Sequence, residues 1–151
     1  DEEMQSEIGN TTQETLVNFL KTQHKYELCV VNTGLHDQFI KDLTTQNYVS
    51  NVKQYLQLLR SVCLQMIWIE TTPPLRDGHG QTKAKTEEWN REVNWMIMTQ
   101  LTGVHIIKVE TASLHWPYKD NVLLNSTWYL ELGRLFNQHP ELMYANKTVT
   151  T

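Results

Sequence analysis

The stretch Val30-Val31-Asn32-Thr33-Gly34-Leu35-His36-Asp37 decides the fold of this chain. An apolar strand, predicted over 28–31, runs directly into a glycine turn that carries a histidine and an aspartate. In α/β proteins the carboxyl ends of the parallel strands form the edge of the sheet at which ligands bind. A polar cluster at that place is therefore a candidate site.

The apolar pattern around this turn alternates between helical and strand periods. Thr11 and Glu14 form a capping box that predicts a first helix before the strand. Further strands are predicted over 64–70 and 104–109, and further helices over about 47–62, over 83–101, and from about Trp128 to His139. Two proline residues and the run 77–80 predict a loop between the second strand and its helix.

Apolar strands that alternate with amphipathic helices are typically parallel and covered on both faces. The order predicts a three-layer α/β/α, flavodoxin-like fold over residues 11–139, followed by a polar tail over 140–151. Three strands make a small sheet, and the chain begins with Asp1 rather than methionine. We therefore expect it to be the C-terminal part of a larger doubly wound domain whose N-terminal strands are missing here.

The composition of the chain disfavours several classes of binding partner. The 151 residues carry a formal charge of −4, without a basic run, which disfavours nucleic acid and anionic membranes as partners. The longest apolar runs are far shorter than the roughly 18 residues that span a bilayer. The histidines lack zinc-ligand spacing and no glycine-rich phosphate loop occurs, so we expect neither a metal nor a cofactor.

The chain contains two cysteines, Cys29 in the first strand and Cys63 between a helix and the second strand. We expect two buried free thiols, because free cysteine is among the most buried residue types. A disulfide is the alternative in an extracellular chain. Three glycosylation sequons, at Asn10, Asn125 and Asn146, indicate a secreted or lumenal glycoprotein.

Serine hydrolysis needs a nucleophile, a base, an orienting carboxylate and oxyanion donors. Gly34 and His36 follow the first strand, and Asp120 follows the third. The run Gly34-Leu35-His36-Asp37 resembles the third conserved block of SGNH (GDSL-type) hydrolases, usually Gly-x-Asn-Asp. The run Asp120-Asn121-Val122-Leu123 resembles their fifth block, Asp-x-x-His.

The resemblance extends from about Thr11 to Phe136. It is closer to the esterase-like domains of animal extracellular and lumenal proteins, in which turns like 32–37 and strand ends like 68–73 recur. It implies that Asp120 occupies the position of the triad acid and that Gly34 and His36 occupy the oxyanion block. His115 and Trp116 would then line the mouth of the pocket.

The departures from the family pattern weaken the case for catalysis. The Gly-Asp-Ser block that carries the nucleophile is absent, and Ser6 follows no strand. Leu123 stands where the family has its base, and His36 replaces the oxyanion asparagine. We therefore predict a catalytically degenerate domain or a fragment, with a binding or structural role in a glycoprotein. An ester-bearing glycan or lipid is the expected ligand.

The alternative is an active carbohydrate- or lipid-ester hydrolase or acyltransferase whose serine lies upstream and whose base is recruited from elsewhere, with His115 the nearest candidate. Simpler interpretations of single residues also stay open. His36 can hold the turn by bonding to a neighbouring loop, Asp120 can be a helix-entry residue, and Asp77 and His79 can be solvated loop residues. If the strands are parallel, Gly34, Pro73 and Ser113 lie near one edge of the sheet, with His36 within roughly 12 Å of Asp120.

Overall fold

A computed structural model describes residues 18, 25–78, 80–109, 130 and 132–134. The elements are strand β1 (Tyr26–Val31), helix α1 (Thr45–Leu59), strand β2 (Cys63–Ile69), helix α2 (Lys83–Gln100) and strand β3 (Val104–Ile107). A single turn of 3-10 helix, Asp37–Phe39, lies between β1 and α1. Residues 18, 130 and 132–134 are also helical. Both ends of the predicted 11–139 domain and the predicted tail fall outside the described residues.

The three strands form one parallel sheet in the order β1-β2-β3, which confirms the predicted α/β class and strand direction. Val31 pairs with Trp68, and Trp68 pairs with Ile106, so these three residues lie side by side in one row across the sheet. The strand limits differ slightly from the prediction. Strand β2 begins at Cys63 and not at residue 64, and β3 ends at Ile107 and not at residue 109.

Threonine caps fix the starts of both helices. The hydroxyl oxygens of Thr44 and Thr82 accept the backbone N–H of Asn47 and Lys85 at 3.1 and 3.0 Å, which satisfies donors that a helix start leaves free. Helix α1 therefore begins before Asn47, where the apolar spacing alone had placed its start. In the described ranges, no helix is both long and apolar enough to cross a membrane.

The main core lies between the sheet and one pair of helices. Val31, Met66 and Trp68 contribute from the strands, and every one of them is at least nine-tenths buried. The two helices supply the other wall, with buried Tyr48, Val52, Leu56, Leu59, Trp89, Val93, Met96 and Ile97. Both α1 and α2 therefore cover the same face of the sheet.

A second, smaller cluster lies on the opposite face. Ile69 and Ile107 pair across β2 and β3, and each follows a residue of the main core, so their side chains point away from α1 and α2. They pack with buried Val109 and with Leu132, a helical residue distant in sequence. Helical structure thus contacts this face as well.

The expectation of two free thiols is wrong. Cys29 of β1 and Cys63 at the start of β2 form a disulfide, with their Cα atoms 5.9 Å apart. The pairing of β1 with β2 brings together two residues that are separated by 34 positions in sequence. By the loop-closure argument, a crosslink of this span stabilises the fold by about 3–4 kcal/mol.

Candidate functional site

The turn that follows β1 lies at the carboxyl edge of the sheet, as predicted. Asn32 fastens its start, because the Asn32 side-chain amide donates a 2.7 Å hydrogen bond to the carbonyl oxygen of Ile69 at the end of β2. Gly34 follows with φ +121°, in the left-handed region that side chains disfavour. The ends of β1 and β2 are therefore joined where the polar residues begin.

The carbonyl oxygen of Thr33 receives two hydrogen bonds. Tyr48 of α1 donates one through its phenol at 3.0 Å, and Thr71 donates the other through its hydroxyl at 2.6 Å. The Thr33 hydroxyl lies 3.2 Å from the same phenol oxygen. Since the phenol proton is directed to the carbonyl, the Thr33 hydroxyl donates to the phenol. Two side chains thus fix the peptide between Thr33 and Gly34, and the Thr33 hydroxyl in turn fixes the phenol of Tyr48.

No side chain fits at position 34. A Cβ atom on Gly34 would lie 2.5 Å from the phenol oxygen of Tyr48 and 2.7 Å from the hydroxyl oxygen of Thr71. Both atoms are held by their bonds to Thr33 and cannot withdraw freely. The glycine of the predicted motif is therefore required by a close approach as well as by its backbone angle.

Tyr48 serves as a hydrogen-bond donor. Its ring is buried and stacks on Trp89 of α2, with ring centroids 4.0 Å apart. Burial raises the pKa of Tyr48 far above its ordinary value, and the carboxylate of Asp37 raises it further, while the hydrogen bond with the Thr33 hydroxyl lowers it. The phenol therefore keeps its proton and its bond to the Thr33 carbonyl throughout the neutral range.

Asn90 of α2 holds Thr71 in place. Its side-chain oxygen accepts the Thr71 N–H at 2.9 Å, and its amide donates to the Thr71 carbonyl at 2.8 Å. Both residues are buried, so each of these groups would be costly to leave unpaired. A continuous path of hydrogen bonds thus runs from α2 through Thr71 to Thr33.

The loop between β2 and α2 holds the far side of the turn. Gln81 donates to the carbonyl oxygen of Leu35 at 2.8 Å. Buried Gln38 donates to Thr86 at 2.8 Å and accepts the N–H of Thr82 at 3.1 Å. The turn is therefore fixed at Leu35 and Gln38, on either side of His36.

His36 itself is exposed. Its backbone carbonyl accepts the N–H of Phe39, and the two rings lie 6.2 Å apart. Within the described part of the chain, its imidazole makes no capping hydrogen bond to the 3-10 helix. Tyr48, Thr71 and Gln81 hold the turn, and the imidazole of His36 projects from a rigid base.

Several residues named from the sequence lie outside the described residues. The predicted site residues among them are His115, Trp116 and Asp120, with the sequon residues Asn10, Asn125 and Asn146, and the others are Ser6, His79, Ser113 and Leu123. Gly34, Pro73 and Ser113 were predicted near one edge of the sheet. Gly34 lies within contact distance of Thr71, and Thr71 is two residues before Pro73.

Asp77 is exposed, as the solvated-loop interpretation requires, and its carboxylate also accepts the N–H of Lys83 at the start of α2.

Other features of the surface lie away from the turn. Two clefts flank exposed Trp95, one of about 540 Å³ between α1 and α2 and one of about 510 Å³ between α2 and the residues that follow β2 and β3, and neither is lined by Gly34 or His36. Among the described residues, no group of three histidine, cysteine or carboxylate side chains is placed to hold a metal ion. The carboxyl-edge turn therefore remains the candidate site.

Sequence reasoning identified Gly34 and His36 but missed the residues that fix them. Asn90 carried a usable signal, because it lies on the apolar stripe of α2 with Val93 and Ile97, where a polar residue must find a buried partner. Tyr48 carried none, since a tyrosine at a core position looks like ordinary packing.

No known protein family and no curated protein sequence matches the chain.

Proposed function

We propose that this chain forms an SGNH hydrolase-type domain that binds an ester-bearing ligand and does not hydrolyse it. The proposed architecture is three-layer α/β/α and flavodoxin-like. The parallel sheet, the two helices on one face and the contact of helical Leu132 with the other face support this architecture. The ligand site is assigned to the carboxyl edge of the sheet, at the turn after β1.

The rigid turn carries the proposal. Thr33 is held by Tyr48 and Thr71, and no side chain fits at Gly34. Most surface turns are free to move, whereas this one is fixed by buried residues of both helices and by the following loop. Such support is what a ligand-binding group needs, because a site that is already ordered loses less entropy on binding.

The exposed imidazole of His36 is the proposed contact to the ligand. An imidazole N–H can donate to an ester carbonyl oxygen, which is the kind of interaction made by the asparagine usual at this position in the family. Asp120, His115 and Trp116 are proposed to complete the pocket. With Leu123 at the position of the base, no group there can take a proton from a nucleophile, which supports binding without turnover.

We also propose that the protein matures in the secretory pathway and carries glycans at Asn10, Asn125 and Asn146. The three sequons support this localisation. The disulfide between Cys29 and Cys63 is compatible with it, because disulfides persist in oxidising compartments. Peptide mass mapping after expression in a glycosylating host, with and without an N-glycosidase, tests the three sites.

A titration followed by NMR tests the proposed ligand class. Triacetin represents a glycerol ester, peracetylated methyl glucoside represents an acetylated glycan, and unacetylated methyl glucoside is the control ligand. We expect at least one ester to shift the backbone amides of residues 33–37, and His36→Ala to weaken binding several-fold while Lys41→Ala does not. Shifts confined to the clefts beside Trp95, or no shifts with either ester, would contradict the proposal.

A further inference from the structure

The cleft of about 510 Å³ beside Trp95 lies at the carboxyl edge of the sheet, apart from the turn after β1. It is lined by Glu70, which directly follows β2, and by Lys108, which directly follows β3. The other lining residues belong to α2, at positions 87, 91, 94, 95 and 98, and this spacing places them on one face of the helix. We call it the α2–β3 cleft.

Two large apolar side chains are exposed at this cleft. Trp95 is 57% exposed and Met98 is 68% exposed, whereas Trp68 and Trp89 in the core are only 1% and 2% exposed. An exposed indole that lines a cleft offers a flat apolar surface, and covering that surface with a ligand is favourable. The α2–β3 cleft therefore has an apolar platform on the side of α2.

A buried polar pair also lines the cleft. Glu70 is 6% exposed, and its carboxylate accepts a 2.7 Å hydrogen bond from the side-chain amide of Asn94. The side-chain carbonyl oxygen of Asn94 is buried and has no hydrogen-bond partner among the described residues. A buried acceptor without a partner is costly, so a ligand that brings a donor to Asn94 gains a hydrogen bond there.

The charges around the cleft balance, because Glu70 and Glu87 are acidic and Arg91 and Lys108 are basic. A ligand with a net charge would meet groups of like charge as well as groups of opposite charge. The two cations donate hydrogen bonds, and the carboxylates accept them. Hydroxyl groups donate and accept without carrying charge, so an uncharged polyhydroxyl ligand matches this lining best.

We propose that the α2–β3 cleft binds one sugar unit of a glycan in its pyranose form. The C–H face of the ring packs on the indole of Trp95, and the hydroxyl groups bond to Glu70, Asn94 and Arg91. A volume of about 510 Å³ is in the range of small-molecule sites. The proposal does not depend on the ester ligand assigned to His36.

The second cleft beside Trp95, between α1 and α2, matches a sugar less well. Its lysine, Lys53, already donates a 2.8 Å hydrogen bond to Gln100. Two carboxylates, those of Glu88 and Glu92, face this single cation, so the charges there do not balance. The sugar is therefore assigned to the α2–β3 cleft.

A titration with the methyl glycosides of glucose, galactose, mannose and N-acetylglucosamine, followed by NMR, tests the proposal. We expect at least one glycoside to shift the indole N–H of Trp95 and the amides of residues 94–98. Trp95→Ala should weaken binding roughly tenfold, whereas Tyr26→Ala, which removes an exposed ring from β1, should not change it. Arg91→Ala should also weaken binding, whereas Lys53→Ala, which removes a cation from the other cleft, should not.

Tetramethylammonium and acetate serve as charged probes at the same concentrations, and circular dichroism confirms that each variant is folded. Three outcomes would overturn the proposal. The first is that no glycoside shifts the signals of Trp95, even where an ester shifts those of residues 33–37. The second is that either charged probe binds the cleft more tightly than every glycoside. The third is that glycoside binding survives both Trp95→Ala and Arg91→Ala.

Discussion

The hydroxyl of Thr71, just beyond β2, donates a 2.6 Å hydrogen bond to the carbonyl oxygen of Thr33, just beyond β1. This bond joins the carboxyl ends of neighbouring parallel strands, the edge at which ligands bind in open α/β sheets. Tyr48 donates to the same oxygen from α1, and Asn90 orients Thr71 from α2. The candidate site is therefore fixed by α1, by α2 and by the segment that follows β2.

Gly34→Ala should destabilise the protein by about 2–4 kcal/mol, because the new methyl group meets the oxygens of Tyr48 and Thr71 at a backbone angle unfavourable to alanine. Gly78→Ala is the matched control, since a Cβ there meets nothing within 4 Å, and its effect should stay within about 0.5 kcal/mol. Urea unfolding measures both. Equal effects would show that the close approach at Gly34 is absent in solution.

Asn90→Ala should lower the free energy of unfolding by about 2–4 kcal/mol, because it leaves the buried N–H and carbonyl of Thr71 without their partner. Asn51→Ala makes the same change at an exposed position of α1 and should be neutral or slightly stabilising. The NMR signals of residues 33–37 should also move in the Asn90 variant. Unchanged signals would contradict the path of hydrogen bonds that runs from Asn90 of α2 through Thr71 to the turn.

Stability should fall at high pH partly through Tyr48. Its pKa is raised in the folded protein, so its contribution is complete below the ordinary tyrosine pKa of about 10 and is lost as the pH rises above that value. Above about pH 10, the stability advantage of wild type over Tyr48→Phe should shrink by about 1.4 kcal/mol per pH unit. Urea unfolding of both proteins between pH 8 and 11 checks this. A constant difference would mean that Tyr48 ionises equally in both states.

The sequence predicted much of the fold because apolar periodicity records which residues face the core. The spacing of Val52 and Leu56, and of Trp89 and Val93, located both described helices, and the structure buries all four residues. The predicted start of α1 was less accurate than that of α2, since the cap at Thr44 begins α1 before Asn47. Apolar periodicity and helix caps depend on residues that are close together in the sequence, so they can be identified from the sequence directly.

The support of the site could not be predicted in the same way. The bonds from Tyr48 and Thr71 to Thr33 span 15 and 38 positions, and the disulfide spans 34, so each exists only because the sheet and helices have already assembled. The motif around Gly34 predicted where a site would lie. It contained no information on the residues that hold the glycine in place.

Removing the disulfide by the double change Cys29→Ala and Cys63→Ala should lower the free energy of unfolding by about 3–4 kcal/mol, because the unfolded chain regains the freedom of the closed loop. A reducing agent should destabilise wild type by a similar amount and leave the double variant unaffected. Urea unfolding with and without the reductant separates these cases. An equal effect of the reductant on both proteins would show that it does not destabilise the wild type by breaking this disulfide.

Hydrolysis of p-nitrophenyl acetate by the wild-type chain, compared with its Asp120→Ala and His36→Ala variants, tests the central claim most directly. General base catalysis typically contributes on the order of 10²–10⁴-fold, and the position of the base is occupied by Leu123. We predict that the rates of the three proteins coincide. A wild-type rate clearly above that of the Asp120 variant would contradict the assignment of this domain as a binding domain without hydrolytic activity.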